Sequence, residues 1–196
     1  MAIALNGSTG IITGVSVGGL PDGIVDTDMI AAKAVTAEKR GAGAILQVLQ
    51  TFKSDADSYS LATLTESSNI IEQSITVSAS SKVLIMCTMH MMATTPSYGF
   101  TFNRGGTSIG IADAEGSRFR ATAFGYSDPD RQDSTQPVNA MFLDTPGSAG
   151  TYTYGVKIRH ASSASQTVYV NLTENDSNNA KVMRPTSHFT LIEVAG

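Results

Sequence analysis

The sequence is short of several residue types, and each shortage narrows the possible functions. It has no tryptophan and one cysteine, Cys87, which excludes an intrachain disulfide. Charged residues make up only 15% of the chain, against about a quarter in an ordinary soluble domain. The formal net charge is -4, so no basic field is present to hold nucleic acid. A surface this poor in charge is either covered by small polar residues or partly hidden in an oligomer.

Long hydrophobic runs are also missing. No stretch of about eighteen apolar residues occurs, so we predict no membrane insertion. The first ten residues, MAIALNGSTG, lack a basic region followed by a long apolar segment, and they do not form a secretion signal. We therefore expect the protein to be made in the cytoplasm and to reach any other location as part of a particle.

Motifs of catalysis and metal binding are absent as well. The serine elbow, the phosphate loop and the His-Glu-x-x-His pattern do not occur. Cys87 and His90 have the spacing of a metal pair, but positions i and i+3 of a strand point to opposite faces. We interpret Cys87 as a small apolar core residue and the scattered histidines as core or interface residues. We predict that the protein is not an enzyme and has no catalytic residue, no metal and no cofactor.

Two further patterns have simple interpretations. Acidic residues crowd two loops, where paired carboxylates serve glycoside hydrolysis or calcium binding in other proteins. Neither loop has the spacing of a calcium loop and both contain arginine, so we interpret them as solvated charge. Asn171-Leu172-Thr173 matches a glycosylation acceptor, and without a secretion signal we interpret the match as chance.

The composition changes abruptly between Gly41 and Gly43. Before this point the chain is rich in Gly, Ala and Thr and has no aromatic residue. Such a segment loses much backbone entropy on ordering and has little to bury. After it comes a dense series of short alternating runs. We predict an extended N-terminal attachment and trimerisation arm over 1–43 and a head domain over 44–196.

The end of the arm carries a helical pattern. The segment VDTDMI supplies a capping residue, and Lys39-Arg40-Gly41 supplies a C-terminal stop. The pattern predicts a short helix whose thin apolar stripe is marginal in isolation. It becomes stable if three copies pack around an axis where Ile30, Ala34 and Ala37 meet. The alternative is a disordered tail with a chance helical pattern.

Runs with a period of two residues recur through the head and are bounded by turn signals. They cover Ile45–Phe52, Ser60–Glu66, Ile70–Ser78, Lys82–Thr94, Tyr98–Asn103, Thr107–Ile111, Phe119–Phe124, Val138–Leu143, Tyr152–His160, Thr167–Leu172 and Ser187–Val194. Arg104-Gly105-Gly106 is a strong hairpin signal. This density of strands predicts an all-β fold, with an antiparallel β-sandwich or jelly-roll-like head.

Two of these runs are apolar on both faces. In the Lys82 run, Val83 and its alternate neighbours form one face, and Leu84, Met86 and Met92 lie on the other. The antiparallel sheet of a monomer normally keeps one wet face. We therefore predict that a neighbouring subunit covers Leu84, Met86 and Met92. The last run is also apolar on both faces and is predicted to be a central strand.

Three segments resemble parts of one protein class. They are GGLPDGIVDTDMIAAKAVTAEKRGAG with the following AILQVLQT, FTFNRGGTSIG, and TYTYGVKIRHASSASQTVYVNLTEND with the closing SHFTLIEVAG. Together they resemble fibre and appendage proteins of tailed bacteriophages, over most of the chain. The resemblance implies a homotrimeric structural protein of the virion, attached to other virion proteins by its N-terminal arm. The chain is similar to a short tail fibre or capsid fibre, because it lacks an extended shaft.

The resemblance also implies a head exposed for attachment to a host surface glycan or protein. Exposed loops would make that contact, and our candidates are Tyr126, Asp128, Asp130, Arg131 and Gln132. Tyr126 and Arg131 would supply stacking and polar contacts to a sugar. Many weak sites on one particle would bind by avidity.

Other functions remain open at this point. A decoration or cement protein of the capsid or tail would share the fold and the trimer without binding the host. An enzyme acting on host polysaccharide would need an acid pair and usually a long β-helix. A cellular adhesion domain of the tumour-necrosis-factor or C1q type would need a secretion signal.

Overall fold

The structure is a computed structural model that describes residues 4–6, 11–13, 35, 39–128, 130, 133–180 and 182–196. It divides the chain into two units, Met1–Arg40 and Gly41–Gly196. In the first unit, strands β1 (Ala4–Asn6) and β2 (Ile11–Thr13) pair antiparallel. The predicted helix of the arm, with Ile30, Ala34 and Ala37, lies outside the described residues.

The second unit is all-β over its described residues, as predicted, and has no α-helix there. Its strands are β3 (Ile45–Lys53), β4 (Asp57–Leu61), β5 (Glu66–Val77), β6 (Lys82–Ala93), β7 (Ser97–Arg104), β8 (Thr107–Ile109), β9 (Ala123–Tyr126), β10 (Gln136–Asp144), β11 (Gly150–His160), β12 (Gln166–Val170) and β13 (Ser187–Val194). They form two antiparallel sheets.

The six-stranded sheet is built around β6. Strand β10 runs along one edge of β6, from Gln136 opposite Met91 to Asp144 opposite Val83. Along the other edge, β13 pairs with the first part of β6 and β12 with its last residues. Strand β3 then pairs with β13, and β4 pairs with β12. The prediction that the C-terminal run is a central strand is confirmed, since β13 lies between β3 and β6.

The five-stranded sheet has the order β5, β11, β7, and then β8 and β9 end to end along the free edge of β7. The predicted hairpin joins β7 to β8. Gly105 and Gly106 have φ angles of 55° and 85°, which is the left-handed backbone that a tight two-residue hairpin requires.

One hydrophobic core lies between the two sheets. Alternate residues of β6 and β13 contribute from one side, and Phe100, Phe102 and Val156 contribute from the other. Burying a side chain of this size contributes about 1.5–3 kcal/mol. The inner face predicted for the Lys82 run is confirmed, because Val83, Ile85, Cys87, Met89 and Met91 are all buried.

An acidic residue closes one end of this core. Glu193 follows the inward alternation of β13 and is buried. Its Oε1 accepts from the backbone N–H of Ser78 at 2.7 Å, and its Oε2 accepts from Nε2 of Gln47 at 2.6 Å. Burial by itself raises the pKa of Glu193, but these hydrogen bonds outweigh burial and the pKa is lowered. The carboxylate therefore links the start of β3 to the turn after β5.

Two predicted strands are wrong in position. The run Ser60–Glu66 is interrupted by a turn between β4 and β5, in which Thr65 N donates to the carbonyl of Ala62 at 3.3 Å. Leu64 occupies that turn with φ of 62°. The run Phe119–Phe124 forms a strand only from Ala123, because the residues before it belong to a loop that crosses the outer face of the five-stranded sheet.

Candidate functional sites: an apolar sheet face and an aromatic cleft

The outer face of the six-stranded sheet carries cross-strand rows of uncharged residues. The registers place Val48, Ile192, Leu84 and Leu143 in one row, Gln50, Thr190, Met86 and Met141 in the next, and Phe52, His188, Thr88 and Asn139 in a third. We call these rows the outer apolar face. Its large side chains Val48, Phe52, Met86, Met141 and Leu143 are between 43% and 66% exposed.

Several polar residues of the outer apolar face contact each other within it. Gln50 Nε2 donates to Thr190 Oγ1 at 2.9 Å, and Thr88 Oγ1 donates to Asn139 Oδ1 at 2.8 Å. The rings of Phe52 and His188 lie 5.3 Å apart. These internal contacts reduce the number of polar atoms that a partner covering the face would have to satisfy, which lowers the cost of burying it.

The sequence-predicted contact residues of β6 divide between two environments. Leu84 and Met86 lie on the outer apolar face. Met92 does not, because it is 1% exposed within the single chain. Tyr169 of β12 pairs with it, and the backbone N–H of Glu174 lies 3.0 Å from its Sδ. The prediction for Met92 is corrected, since the chain itself covers this end of the strand.

The histidines and the cysteine occupy different faces. Burial raises the pKa of the Cys87 thiol, so it is un-ionised and unreactive at neutral pH. His160 is buried, with Nε2 facing the carbonyl of Leu61 at 3.2 Å and Nδ1 accepting from the N–H of Ser162 at 3.2 Å. This confirms His160 as a hydrogen-bonded core histidine. His90 is half-buried on the other side of β6, where burial and the neighbouring His188 lower its pKa.

A largely buried polar cluster lies at the end of β10. Asp144 Oδ2 accepts from Tyr154 Oη at 2.7 Å and from Arg104 Nη1 at 2.5 Å. Burial, followed by the contact with Asp144, raises the pKa of Tyr154. Arg104 and Tyr154 both donate to the same carboxylate, which is the pattern of a structural cluster.

The described receptor candidates are exposed. Tyr126 ends β9 on its outer side, and Asp128 and Asp130 follow as exposed residues. The backbone N–H of Asp130 donates to Asp128 Oδ1 at 3.1 Å. Arg131 and Gln132 lie outside the described residues.

A cleft next to this loop is absent from the sequence-based predictions. It lies between the loop that precedes β9 and the outer face of the five-stranded sheet, and its volume is about 690 Å³. Its main side chains are Phe119 and Arg118 from the loop, Phe124 from β9 and Arg159 from β11. Gly99 of β7 also lines it. A Cβ at this position would lie 2.4 Å from the carbonyl oxygen of Ala123, so glycine is needed for β9 to pair closely with β7.

Sequence signals for this cleft were weak. Arg159 alternates with inward-facing residues of β11, which is also the pattern of a solvated arginine. Phe124 lies between the small residues Ala123 and Gly125. This large aromatic residue between two small ones is a weak indication of a binding surface. Only the tertiary structure places the Phe119 ring 4.1 Å from the Arg159 guanidinium carbon.

Comparison with models of known protein families finds no match, and comparison with curated protein sequences also finds none. The resemblance to bacteriophage appendage proteins therefore stays a prediction. Among the described residues, no helix has the length and hydropathy to cross a bilayer. Nor does that part of the chain contain a group of three or more His, Cys, Asp or Glu residues arranged to hold a metal ion.

Proposed function

We propose that the protein is a structural subunit of a bacteriophage virion and a homotrimer with a jelly-roll-like head. In this proposal the heads associate through the outer apolar face, and the N-terminal arm attaches each trimer to other virion proteins. The opposite sheet and its loops would then face outward, toward the host surface. The resemblance of the sequence supports the virion location and the number of subunits.

The outer apolar face is the main evidence that the heads associate. A contiguous exposed patch of Val, Phe, Met and Leu marks an interaction surface in a protein. Its rows contain no Asp, Glu, Lys or Arg, and self-association of such a surface meets no like-charge repulsion. Apolar burial at about 25 cal/mol per Å² would make an interface of this kind a large part of the stability. Association would then add to the stability of each folded chain.

The first test is the solution mass of the full chain by light scattering, with Met141→Asp as the disruptive variant. Met141 is exposed, so a single chain should tolerate the aspartate, but an interface would bury it as an unpaired charge. We expect a trimer for the unchanged chain and a monomer for Met141→Asp. Met183→Asp is the matched control, because Met183 is 81% exposed and lies outside the outer apolar face. A monomeric unchanged chain would contradict the proposal.

Virion location has its own test. Peptide mass spectrometry of purified phage particles from the strain that encodes the chain should detect it in a stoichiometric amount. Particles that lack the chain should lose adsorption to host cells. Loss of particle stability with normal adsorption would indicate a decoration protein instead, and the absence of the chain from particles would contradict both functions.

A further inference from the structure

The cleft between the loop before β9 and the five-stranded sheet combines exposed aromatic surface with positive charge. Phe124 is 75% exposed at its wall, and Arg118 and Arg159 are its charged lining residues. Within the described ranges, no acidic residue lines it. We propose that this cleft binds a carboxylate-bearing saccharide, a hexuronic-acid residue of a host surface polysaccharide. The choice of a saccharide among anionic ligands rests on the proposed outward-facing role of this sheet.

The aromatic side chains form a strip along β9. Phe124 and Tyr126 are both exposed and alternate with Ala123 and Gly125, so they share one face of the strand. Their positions along the strand are about 7 Å apart. An apolar ring next to a polar rim suits the C–H face of a pyranose, which is apolar on its faces and polar around its edge. The cleft would hold one sugar residue at Phe124, and Tyr126 would contact the next one along the polysaccharide.

Arg159 supplies a hydrogen-bond donor without an acceptor. Its side chain is 14% exposed, and Nη1 lies 3.3 Å from Glu66 Oε1. Its Nε is buried and has no hydrogen-bond partner in the described part of the chain. An unpartnered buried donor is unfavourable, and a carboxylate oxygen is the acceptor that a guanidinium binds most strongly. The carboxylate of the proposed ligand would supply the acceptor that Nε of Arg159 lacks.

Phe119 lies beside this donor. Its ring is 4.1 Å from the Arg159 guanidinium carbon, and because Nε is buried, a ligand oxygen reaches it only if the surrounding side chains move. The backbone of the loop that carries Phe119 is held by hydrogen bonds, including one from Arg120 Nε to the carbonyl of Ala112 at 2.6 Å. The Arg118 side chain forms an exposed 3.7 Å ion pair with Glu115. An exposed pair of this kind holds the side chain weakly. Arg118 can therefore leave it and turn toward an anion at the mouth of the cleft.

The test is saturation-transfer difference NMR on the full-length protein. The probes are methyl β-D-glucuronide and tetragalacturonate, and the neutral controls are methyl β-D-glucoside and maltotetraose. We expect saturation transfer to both uronates, with the tetramer binding more tightly, and at least about tenfold weaker binding of the neutral sugars. Equal binding of acidic and neutral sugars, or no transfer to either uronate, overturns the inference.

Two variants locate the site. Phe124→Ala changes an exposed side chain, so it should fold normally and weaken uronate binding about fivefold through lost ring contact. Arg159→Gln should weaken it at least about tenfold. Met183→Ala, which lies outside the cleft, is the control for both. Thermal unfolding identifies any variant that fails to fold. If Arg159→Gln fails to fold, the binding result for Phe124→Ala is the test of the site. Unchanged uronate binding in Phe124→Ala contradicts the assignment to this cleft.

The outcomes separate this inference from the proposed function. A trimer found in purified virions that binds no uronate removes the inference and leaves the structural role intact. A chain that binds uronate but is monomeric in solution would support the inference about the cleft and contradict the proposed trimer.

Discussion

At the scale of single residues, the side chain of Asn171 connects separate segments of the chain by hydrogen bonds. No pattern in the sequence indicates this role. It is fully buried and has φ of 60°. Its Nδ2 donates to the carbonyls of Lys53 and Asp55 at 3.0 and 2.9 Å, and its Oδ1 accepts from Ser187 Oγ at 2.6 Å. Ser187 Oγ in turn accepts from the N–H of His90 at 3.0 Å. The side chain thus joins the turn after β3 to the start of β13 and to β6.

We predict that Asn171→Ala lowers the free energy of unfolding by about 3 kcal/mol. The change removes the hydrogen bonds to buried backbone carbonyls and places a Cβ residue without a compensating bond in the left-handed region. Asn171→Gly should lower it by about 1 kcal/mol less, because glycine adopts this φ freely. Urea unfolding measures both. Equal losses in the two variants would show that the backbone conformation contributes nothing.

The environment of Asn171 also shows whether the glycosylation pattern at Asn171-Leu172-Thr173 can be used. A fully buried asparagine whose Nδ2 makes two hydrogen bonds cannot carry a glycan in this fold. The interpretation of the pattern as chance is confirmed. For Cys87 the residue-level prediction is also confirmed, since it packs in the core while His90 lies on the opposite side of β6.

At the scale of elements, the turn between β4 and β5 shows where periodicity misleads. Leu64 is apolar and falls within a run predicted as one continuous strand, yet it lies exposed in the turn with a left-handed backbone. A leucine in that conformation is destabilised by about 1–2 kcal/mol relative to an ordinary one. The turn persists because strands β4 and β5 belong to different sheets and the chain has to cross between them.

Leu64→Gly should therefore stabilise the protein by about 0.5–1 kcal/mol, since glycine relieves the backbone strain. Thr63→Gly is the matched control in the same turn. Thr63 has no positive φ, so glycine there relieves no strain. It should lower stability, because it adds entropy to the unfolded chain and removes the hydrogen bond from Thr63 Oγ1 to the carbonyl of Ser163 at 3.3 Å. Thermal or urea unfolding of the two variants measures the difference. A loss of stability in Leu64→Gly would contradict the strain argument.

At the scale of the whole molecule, the two sheets have different outer faces. The six-stranded sheet presents the outer apolar face, with no charged residue in its rows. The five-stranded sheet carries Lys157, Arg159 and Glu66 on its outer side. This division is the physical basis for placing self-association on one sheet and ligand binding on the other.

The whole-molecule prediction concerns salt. An interface without charged residues is not screened, and apolar association does not weaken with ionic strength in the way that ion pairs do. We expect the light-scattering mass of the full chain to stay at the trimer value between about 0.1 and 1 M sodium chloride. Uronate binding, which involves Arg159 and Arg118, should weaken over the same range. Dissociation of the oligomer at high salt would point to an interface made of charged residues elsewhere.

The sequence by itself determined where most strands lie and which residues of the Lys82 run share the inner face. It also determined the Gly105-Gly106 hairpin and the central position of β13. These are local properties, because a period of two residues follows from the backbone of any strand and a left-handed turn favours glycine.

Only the tertiary structure decided which outer faces stay exposed. Leu84, Met86 and Met92 follow the same alternation along β6, yet Met92 is covered by the chain beyond β12. Phe119 and Arg159 are distant in sequence and meet only because a loop crosses the five-stranded sheet. The physical reason is that alternation assigns a side chain to a face, whereas its exposure depends on whether another segment lies across that face.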